Sequence, residues 1–153
     1  MSVHDRSKAS NEYVIFSVDK GVEPLQDTIS RDMMYHILDS NGVRYKKLVG
    51  SWEDVKEQSF MVSKEVWESL DLSDIVLQWF QQDAVLHIGY PEGHSGHRPA
   101  TLEYSDGRQE EIGWFHGVSK RYAEGLQGWT YDPALNAYFA VTDNRESLVG
   151  QFK

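Results

Sequence analysis

The order of the apolar segments limits the folds open to this chain more than any other feature of the sequence. Residues 13–18 are β-branched and aromatic, which predicts a strand buried on both faces. The next segments predict a helix capped by Ser30 over 30–40, strands over 43–49 and 58–62, a helical region capped by Ser63 over 63–82, and a strand over 84–88. This β-α-β-β-α-β order predicts an α+β, ferredoxin-like sandwich with two helices on one face of an antiparallel sheet.

Two further pairs of apolar segments follow this predicted core. Residues 100–104 and 110–116 flank Asp106-Gly107, and residues 129–131 and 137–141 flank Asp132-Pro133. Both patterns are typical of hairpins, so we expect the antiparallel sheet to be extended by C-terminal hairpins. The length of 153 residues fits a single domain over residues 12–153, and the polar residues 1–11 predict a flexible N-terminal tail.

The composition excludes several classes of protein. The chain has no cysteine, which rules out disulfide scaffolds, thiolate metal sites and cysteine nucleophiles, and suits a reducing cytoplasm. No apolar run approaches the roughly 20 residues that a membrane span needs, so we expect no membrane association. The net charge of −9 disfavours binding to nucleic acid. It suits a cationic ligand, a protein that mimics DNA, or solubility alone.

The common catalytic and metal-binding motifs give little support for a specific chemistry. The sequence lacks a Gly-x-Ser-x-Gly elbow, a phosphate-binding glycine loop and a dinucleotide-binding motif. His94 and His97, with His87 and His116 elsewhere, are a possible set of zinc ligands. The first two lie in a glycine-containing loop, which is a poor frame for metal ligands, so we predict no metal site.

Residues 50–62 contain the clearest candidate for a functional side chain. They predict a strand, a charged turn and a second short strand, with Glu57 at the edge of the second strand. A carboxylate there is held by rigid backbone beside a loop, which is a common position for a functional acid. The alternative is a turn that only carries solvated charge. Tyr45 and Trp52 lie near predicted strand ends, where an aromatic ring could stack on a flat ligand.

Several segments, taken in order over residues 12–142, carry a resemblance to a known family. They are Tyr13-Val14-Ile15-Phe16-Ser17, Arg31 with Met34, Gly50-x-Trp52, Glu57-x-Ser59-Phe60-x-Val62, Gln82-Asp83-Ala84-Val85-Leu86, Tyr104-Ser105-Asp106-Gly107, and residues 128–141. In these segments the sequence resembles the small phage-encoded enzymes that degrade S-adenosylmethionine, formerly described as hydrolases and now as lyases. Trp52 stands where the family pattern has a tyrosine, and Tyr45 could replace that hydroxyl.

The resemblance implies a ferredoxin-like fold and a homotrimer with active sites at the subunit interfaces. It implies conversion of S-adenosylmethionine to methylthioadenosine and homoserine lactone, without metal or cofactor. The essential glutamate of the family corresponds to Glu57. Enzymes of this kind deplete the methyl donor in the cytoplasm of an infected bacterium, and they thereby disarm host restriction and related defences.

The chemistry of S-adenosylmethionine suggests roles for the residues around Glu57. The substrate carries its own leaving group, the sulfonium, and its own nucleophile, the carboxylate, so the protein need only fold the methionyl chain into a reactive shape. We expect Glu57 to hold the α-ammonium group, which stays charged throughout the reaction. We expect further substrate contacts from Phe16, Ser17, Tyr45, Trp52, Gln58, Ser59 and Phe60.

Three alternatives remain open at this point: a hydrolase that releases homoserine, an acidic DNA mimic that blocks restriction enzymes, and a sensor that binds without turnover. A hydrolase needs a general base, and no histidine lies beside Glu57 in the sequence. A DNA mimic should have few aromatic residues on a face of dense carboxylates, whereas this chain has five tryptophans and eight tyrosines.

Overall fold

A computed structural model of the protein describes residues 12–92 and 96–142. The predicted tail over residues 1–11, residues 143–153 and His94 lie outside the described residues. The described residues form eight strands, four α-helices and a π-helical turn. The strands are β1 (Tyr13–Phe16), β2 (Lys46–Trp52), β3 (Val55–Ser63), β4 (Ala84–Ile88), β5 (Arg98–Tyr104), β6 (Gln109–Val118), β7 (Gly128–Asp132) and β8 (Ala137–Thr142). The helices are α1 (Pro24–Ser40), α2 (Lys64–Ser69), α3 (Leu72–Asp74) and α4 (Lys120–Glu124), and the π-helical turn is Ile75–Trp79.

The eight strands pair antiparallel in one closed barrel. Their order around the barrel is β1-β3-β2-β7-β8-β6-β5-β4, and β4 pairs with β1 to complete the circle. The ladder between β1 and β3 ends where Phe16 lies opposite Phe60. The first residues of β3, including Glu57, therefore extend past the end of β1.

The prediction of a ferredoxin-like sandwich with an open antiparallel sheet is wrong. The order β4-β1-β3-β2 is present within the sheet, but β5 pairs with β4 and β7 pairs with β2, so the C-terminal strands join both of its edges. β6 and β8 then pair with each other and close the barrel. Closure covers the sheet face that an open sandwich would leave bare, and it leaves neither edge unpaired.

The larger apolar core lies outside the barrel wall, between the strands and the helices. Phe16 and Phe60 enter it from β1 and β3, while Met34 and Trp67 enter it from α1 and α2. The rings of Phe16 and Phe60 stack with their centroids 5.4 Å apart. This core fixes the relative positions of β1, β3 and α1, the three elements that surround Glu57.

A smaller apolar core lies inside the barrel. It is built around Ile15, Leu48 and Ile88 from three strands, and Met61 of β3 packs against it. Because side chains alternate along a strand, Glu57 and the buried Ser59 lie on the same face of β3 as Met61. Glu57 therefore faces inward at the end of the barrel where β1 stops.

The helix termini follow local signals in part. The predicted cap of α2 is confirmed, since the N–H of Val66 donates to Ser63 Oγ at 3.2 Å. The predicted start of the first helix at Ser30 is wrong, because α1 begins at Pro24. Proline fits the first helical turn since its missing N–H would have no partner there. No described helix combines the length and apolarity that a transmembrane span requires.

Candidate active site

Side chains, rather than a strand ladder, hold the first residues of β3 against the end of β1. The hydroxyl of Ser17 donates to the carbonyl oxygen of Gln58 at 3.0 Å, and the N–H of Gln58 donates to the carboxylate of Asp19 at 3.2 Å. The N–H of Asp19 in turn donates to Ser17 Oγ at 3.0 Å. The peptide groups on both sides of Gln58 are therefore fixed by partners beyond the strand, the one that follows Glu57 by Asp19 and the next by Ser17.

Asp19 is the centre of a buried network of charged hydrogen bonds. Nε of Arg31 donates to Asp19 Oδ1 at 2.8 Å, and Nη2 of Arg31 donates to Asp19 Oδ2 at 2.6 Å, which makes a bidentate pair. The Asp19 side chain is 2% exposed. The hydrogen bond to Asp19 raises the pKa of Arg31, so the guanidinium stays charged. Nε2 of Gln82 donates to the main-chain oxygen of Asp19 at 3.0 Å and closes the network.

Asp27 anchors the loop between β1 and α1. It lies buried in the first turn of α1, where its carboxylate accepts the N–H groups of Lys20 at 2.8 Å and Gly21 at 3.1 Å. Arg31 follows Asp27 by one helical turn, so the two side chains project from the same face of α1. Both carboxylates, Asp19 and Asp27, are thus occupied by protein donors.

Glu57 differs from these two acids because its side chain reaches solvent. Its pKa is raised, first by the protein atoms that displace water around it and second by the negative charge of Asp19, while Ser17 and Arg31 act in the opposite direction. The residue as a whole remains exposed, so water still screens its charge. We call this set, Ser17, Asp19, Asp27, Arg31 and Glu57, the acidic recess.

Gly50 provides the space in front of Glu57. It lies directly opposite Glu57 in the β2–β3 register. A Cβ at position 50 would lie 3.3 Å from Ser59 Oγ and 3.9 Å from Glu57 Cγ. A side chain there would therefore fill the space between Glu57 and Ser59, which the glycine leaves open to a ligand.

An exposed carboxylate whose pKa is raised, first by the loss of water around it and then by negative neighbours, is suited to a cationic ligand. A sequence profile of the S-Adenosylmethionine lyase family matches residues 16–142, which include every residue of the acidic recess. The chain belongs to this family. It is therefore an enzyme that acts on and degrades S-adenosylmethionine. No curated protein matches the chain.

The fold of this S-adenosylmethionine lyase brings four of the predicted site residues together. Ser17, Glu57, Gln58 and Ser59 all lie where β3 passes the end of β1. The side chain of Gln58 points to the helix-facing side of β3, where its Nε2 donates to the hydroxyl of Tyr35. Ser59 is buried on the same face as Glu57.

Three other predicted residues of the lyase lie behind β3, in the core that faces the helices. Phe16 is 2% exposed and Phe60 is 0% exposed. The ring of Tyr45 lies 6.0 Å from that of Phe60, and its hydroxyl donates to Asp39 Oδ1 at 3.1 Å. In the single chain these three side chains do not reach the face of β3 that carries Glu57.

Trp52 lies at the open edge of the recess. It is 61% exposed and, by strand alternation, shares a face of β2 with Gly50. Its indole packs against β7, because a Cβ at Gly128 would lie 2.7 Å from Trp52 Cε3. This position leaves one face of the ring available to a flat ligand.

Sequence reasoning missed Asp19 and Asp27 as parts of the site, and it gave Arg31 no role. A signal was present: Asp19 directly follows the predicted strand 13–18, at the point where a loop begins. The spacing of Asp27 and Arg31 also fits one helical face, but a helix predicted to start at Ser30 excluded Asp27. The missed residues are those that depend on contacts between distant segments.

The histidines of the lyase lie on other parts of the barrel. The rings of His97 and His116 are 5.0 Å apart, and burial lowers the pKa of His116. Nε2 of His87 lies 2.8 Å from Glu103 Oε1. Within residues 12–92 and 96–142, no group of three or more His, Asp and Glu side chains is arranged to hold a metal ion.

Two recesses of the lyase lie away from Glu57. An apolar groove of about 630 Å³ runs between α1 and the π-helical turn, lined in part by Met33 and Trp79. A cavity of about 1070 Å³ extends into the barrel beside Lys46 and Asp132. These two residues lie at the ends of β2 and β7 that are far from Trp52. Glu57 lines neither of these two recesses.

Proposed function

We propose that this lyase converts S-adenosylmethionine to methylthioadenosine and homoserine lactone. The observation that carries the proposal is the exposed carboxylate of Glu57, held by fixed backbone beside buried Asp19 and Asp27. The substrate has two positive groups, the sulfonium and the α-ammonium. A recess that concentrates negative charge around one accessible carboxylate suits the binding of such a cation.

The reaction requires no nucleophile from the protein. A carboxylate oxygen of the methionyl group forms a bond to the γ-carbon, and the carbon–sulfur bond breaks with its electron pair passing to sulfur. The sulfonium becomes the neutral thioether of methylthioadenosine, and the methionyl group becomes the five-membered lactone. Holding the reacting atoms at attack distance can contribute roughly 7–11 kcal/mol to such an intramolecular step.

Glu57 holds the α-ammonium group of the substrate. A carboxylate beside the sulfonium would stabilise the ground state more than the transition state, because the positive charge on sulfur disappears as the bond breaks. The ammonium keeps its charge, so its contact with Glu57 orients the adjacent substrate carboxylate without opposing the reaction. The space left by Gly50 admits the methionyl chain beside Ser59.

The neighbouring residues contribute the remaining substrate contacts. Ser17, Gln58 and Ser59, together with main-chain groups of β1 and β3, hold the methionyl portion. Trp52 stacks on the adenine, which its exposed ring at the edge of the recess favours. Phe16, Tyr45 and Phe60 act from behind β3, where their packing supports the strand that carries Glu57.

The enzyme acts as a homotrimer with its active sites at the subunit interfaces. Trp52 and Val55, a cross-strand pair beside the recess, are 61% and 64% exposed, so a second subunit that covered them would also enclose the substrate. The chemistry needs no metal or cofactor, and the net charge of −9 disfavours nucleic acid as a partner. Encoded by a phage, the enzyme would deplete the methyl donor in the host cytoplasm and counter host restriction.

A labelling experiment distinguishes this reaction from hydrolysis. The purified protein is incubated with S-adenosylmethionine in H₂¹⁸O, and early products are separated by chromatography and analysed by mass spectrometry. Lactonisation releases unlabelled homoserine lactone first, and later ring opening places ¹⁸O in the carboxyl group. Direct hydrolysis would instead place ¹⁸O in the γ-hydroxyl of homoserine from the first turnover, which would refute the proposal in favour of a hydrolase.

A matched pair of variants tests the role of Glu57. Glu57→Gln removes the charge that holds the ammonium, so turnover should fall by at least about 100-fold, since misplaced reacting groups can cost that much. Glu53→Gln is the control in the same hairpin, where Glu53 accepts a hydrogen bond from Gln127 Nε2 at 2.7 Å outside the recess. A Glu57→Gln enzyme as active as Glu53→Gln would exclude the ammonium contact.

A further inference from the structure

The ladder between β1 and β3 ends before it reaches Glu57. The buried carboxylate of Asp19 takes the place of the next strand carbonyl as a hydrogen-bond acceptor. The last paired residues are Phe16 and Phe60. Two residues before Phe60 in β3, the N–H of Gln58 donates to Asp19 Oδ2 instead of to a strand carbonyl. This N–H belongs to the peptide group that directly follows Glu57, so Asp19 restrains the plane from which the Glu57 side chain projects.

We propose that Asp19 and Arg31 are positioning residues for Glu57, fixing the direction of its carboxylate through the Glu57–Gln58 peptide group. This inference rests on the proposed role of Glu57 in holding the substrate. Arg31 reaches Asp19 from α1 and binds both carboxylate oxygens, at 2.8 and 2.6 Å. A bidentate pair of this kind fixes the plane of the carboxylate as well as its position.

Asp19 acts on the substrate only through other groups. Its side chain is 2% exposed, and each of its oxygens already accepts a donor from the protein. Arg31 keeps 32% of its side chain exposed, yet its Nε and Nη2 both point to Asp19. The pair is thus a part of the scaffold that links α1, the end of β1 and the start of β3.

The pair has a second effect on Glu57, which provides a distinctive experimental signature. The charged groups that act on Glu57 are Asp19 in the loop after β1, and Asp27 and Arg31 on α1. The pKa of Glu57 is raised by the protein atoms that displace water around it and then by Asp19 and Asp27, whereas Arg31 lowers it. Removing the two partners one at a time should therefore shift the ionisation of Glu57 in opposite directions.

The test compares Asp19→Asn, Arg31→Gln and Arg31→Lys with the wild-type enzyme. Each should lower kcat by about tenfold or more with a smaller change in KM, because substrate still binds but is misaligned. The acidic limb of the kcat/KM profile should move to lower pH in Asp19→Asn and to higher pH in Arg31→Gln. Arg31→Lys keeps the positive charge but loses the bidentate pair with Asp19. It should therefore keep the wild-type pH midpoint while kcat stays reduced.

An exposed ion pair provides the matched control. Asp106→Asn makes the same substitution in the Asp106–Arg108 pair at the β5–β6 turn, where the two side chains are 57% and 66% exposed. It should leave both kcat and the pH midpoint unchanged. If Asp19→Asn does not fold, as judged by circular dichroism, the two Arg31 variants decide the question.

The outcomes separate this inference from the proposed function. If wild-type enzyme forms no lactone, the proposed function fails. If wild-type forms lactone and Glu57→Gln does not, but the folded Asp19 and Arg31 variants match Asp106→Asn in kcat, the positioning role fails alone. A loss of kcat in Asp19→Asn and Arg31→Gln with no movement of the pH midpoint in either of these two variants would also overturn it, because a general loss of structure would give that result.

Discussion

Replacing Phe60 with leucine tests whether this residue supports the candidate active site from the core or touches the substrate. Phe60 is 0% exposed and lies next to Ser59 on the opposite face of β3. Its ring stacks on Phe16 at 5.4 Å and meets Tyr35 edge-on at 5.4 Å. We therefore expect Phe60→Leu to change stability and to leave substrate binding almost unchanged.

The size of the stability change follows from these contacts. A shape-changing swap between large apolar side chains costs up to about 1.5 kcal/mol. Each aromatic pair adds about 0.5–1.5 kcal/mol beyond the area that it buries, and Phe60 makes two close pairs. The free energy of unfolding should thus fall by about 1–4.5 kcal/mol. Since domains are typically stable by about 5–15 kcal/mol, the variant should remain folded at 25 °C.

The assay combines urea unfolding, followed by tryptophan fluorescence, with steady-state kinetics on S-adenosylmethionine. Phe60→Leu should shift the unfolding midpoint to lower urea and leave KM within about twofold of wild-type, as expected of a side chain without substrate contact. Leu135→Ala is the control, because Leu135 is 60% exposed and should change stability by less than about 0.5 kcal/mol. A KM raised tenfold with an unchanged unfolding midpoint would show that Phe60 contacts the substrate, and our reasoning about the core would be refuted.

Three further predictions follow from the geometry around Glu57. Gly50→Ala places a Cβ 3.3 Å from Ser59 Oγ, so KM should rise by about tenfold at little cost in thermal stability. Unchanged kinetics would contradict the inference that Gly50 leaves space for the substrate. Gly128→Ala places a Cβ 2.7 Å from Trp52 Cε3, so the indole should swing away, with a measurable change in tryptophan emission and a higher KM; an unaltered spectrum would count against this packing. Because the pKa of Glu57 is raised in the folded state, the contribution of this residue to stability should be lost as pH rises through the usual and then the raised pKa. Glu57→Gln should therefore melt at a higher temperature than wild-type above that range but not below it. Thermal unfolding of both proteins from pH 3 to pH 8 checks the sign, and equal melting temperatures at every pH would contradict it.

Elements that depend on local signals could be predicted from the sequence. The strand over residues 84–88 has the predicted bounds, and Ser63 caps α2 as expected. Both signals lie within a few residues of the structure that they determine: an apolar β-branched run in one case and a hydroxyl before a helix in the other. The start of α1 was missed because Ser30 also has the chemistry of a cap, although Pro24 begins the helix.

Closure of the barrel could not be predicted in the same way. It depends on the pairing of β2 with β7 and of β4 with β5, and a hairpin pattern does not specify the edge to which the hairpin adds. In hindsight, the inward face of the first strands carries large side chains such as Met61, which an open sheet would expose. The C-terminal strands cover this face with Phe115 and Phe139, whose rings stack at 5.3 Å inside the barrel.

The candidate site also contains one residue with a local sequence signal and others that depend on long-range contacts. Glu57 could be proposed because a carboxylate at a strand edge is visible in one short segment. Asp19 and Arg31 are twelve positions apart and meet Gln58 only when β1, α1 and β3 come together. Their contribution is tertiary, so no local pattern marks either residue as part of the site.

The charges of the acidic recess favour a role for Glu57 in holding a cation over a role as a general base. Asp27 is held by two main-chain N–H groups and Asp19 by Arg31 and Gln58, so both are satisfied within the protein. The negative charge of Glu57 is repelled by those of Asp19 and Asp27, and Arg31 and Ser17 partly offset this repulsion. A bound cation would supply the missing positive charge and lower the pKa of Glu57, so that it stays ionised when substrate is present. A base, in contrast, must become protonated during turnover, and a cation beside it would oppose that step. The same recess that is electrostatically unfavourable when empty is therefore complementary to an ammonium group that keeps its charge throughout the reaction.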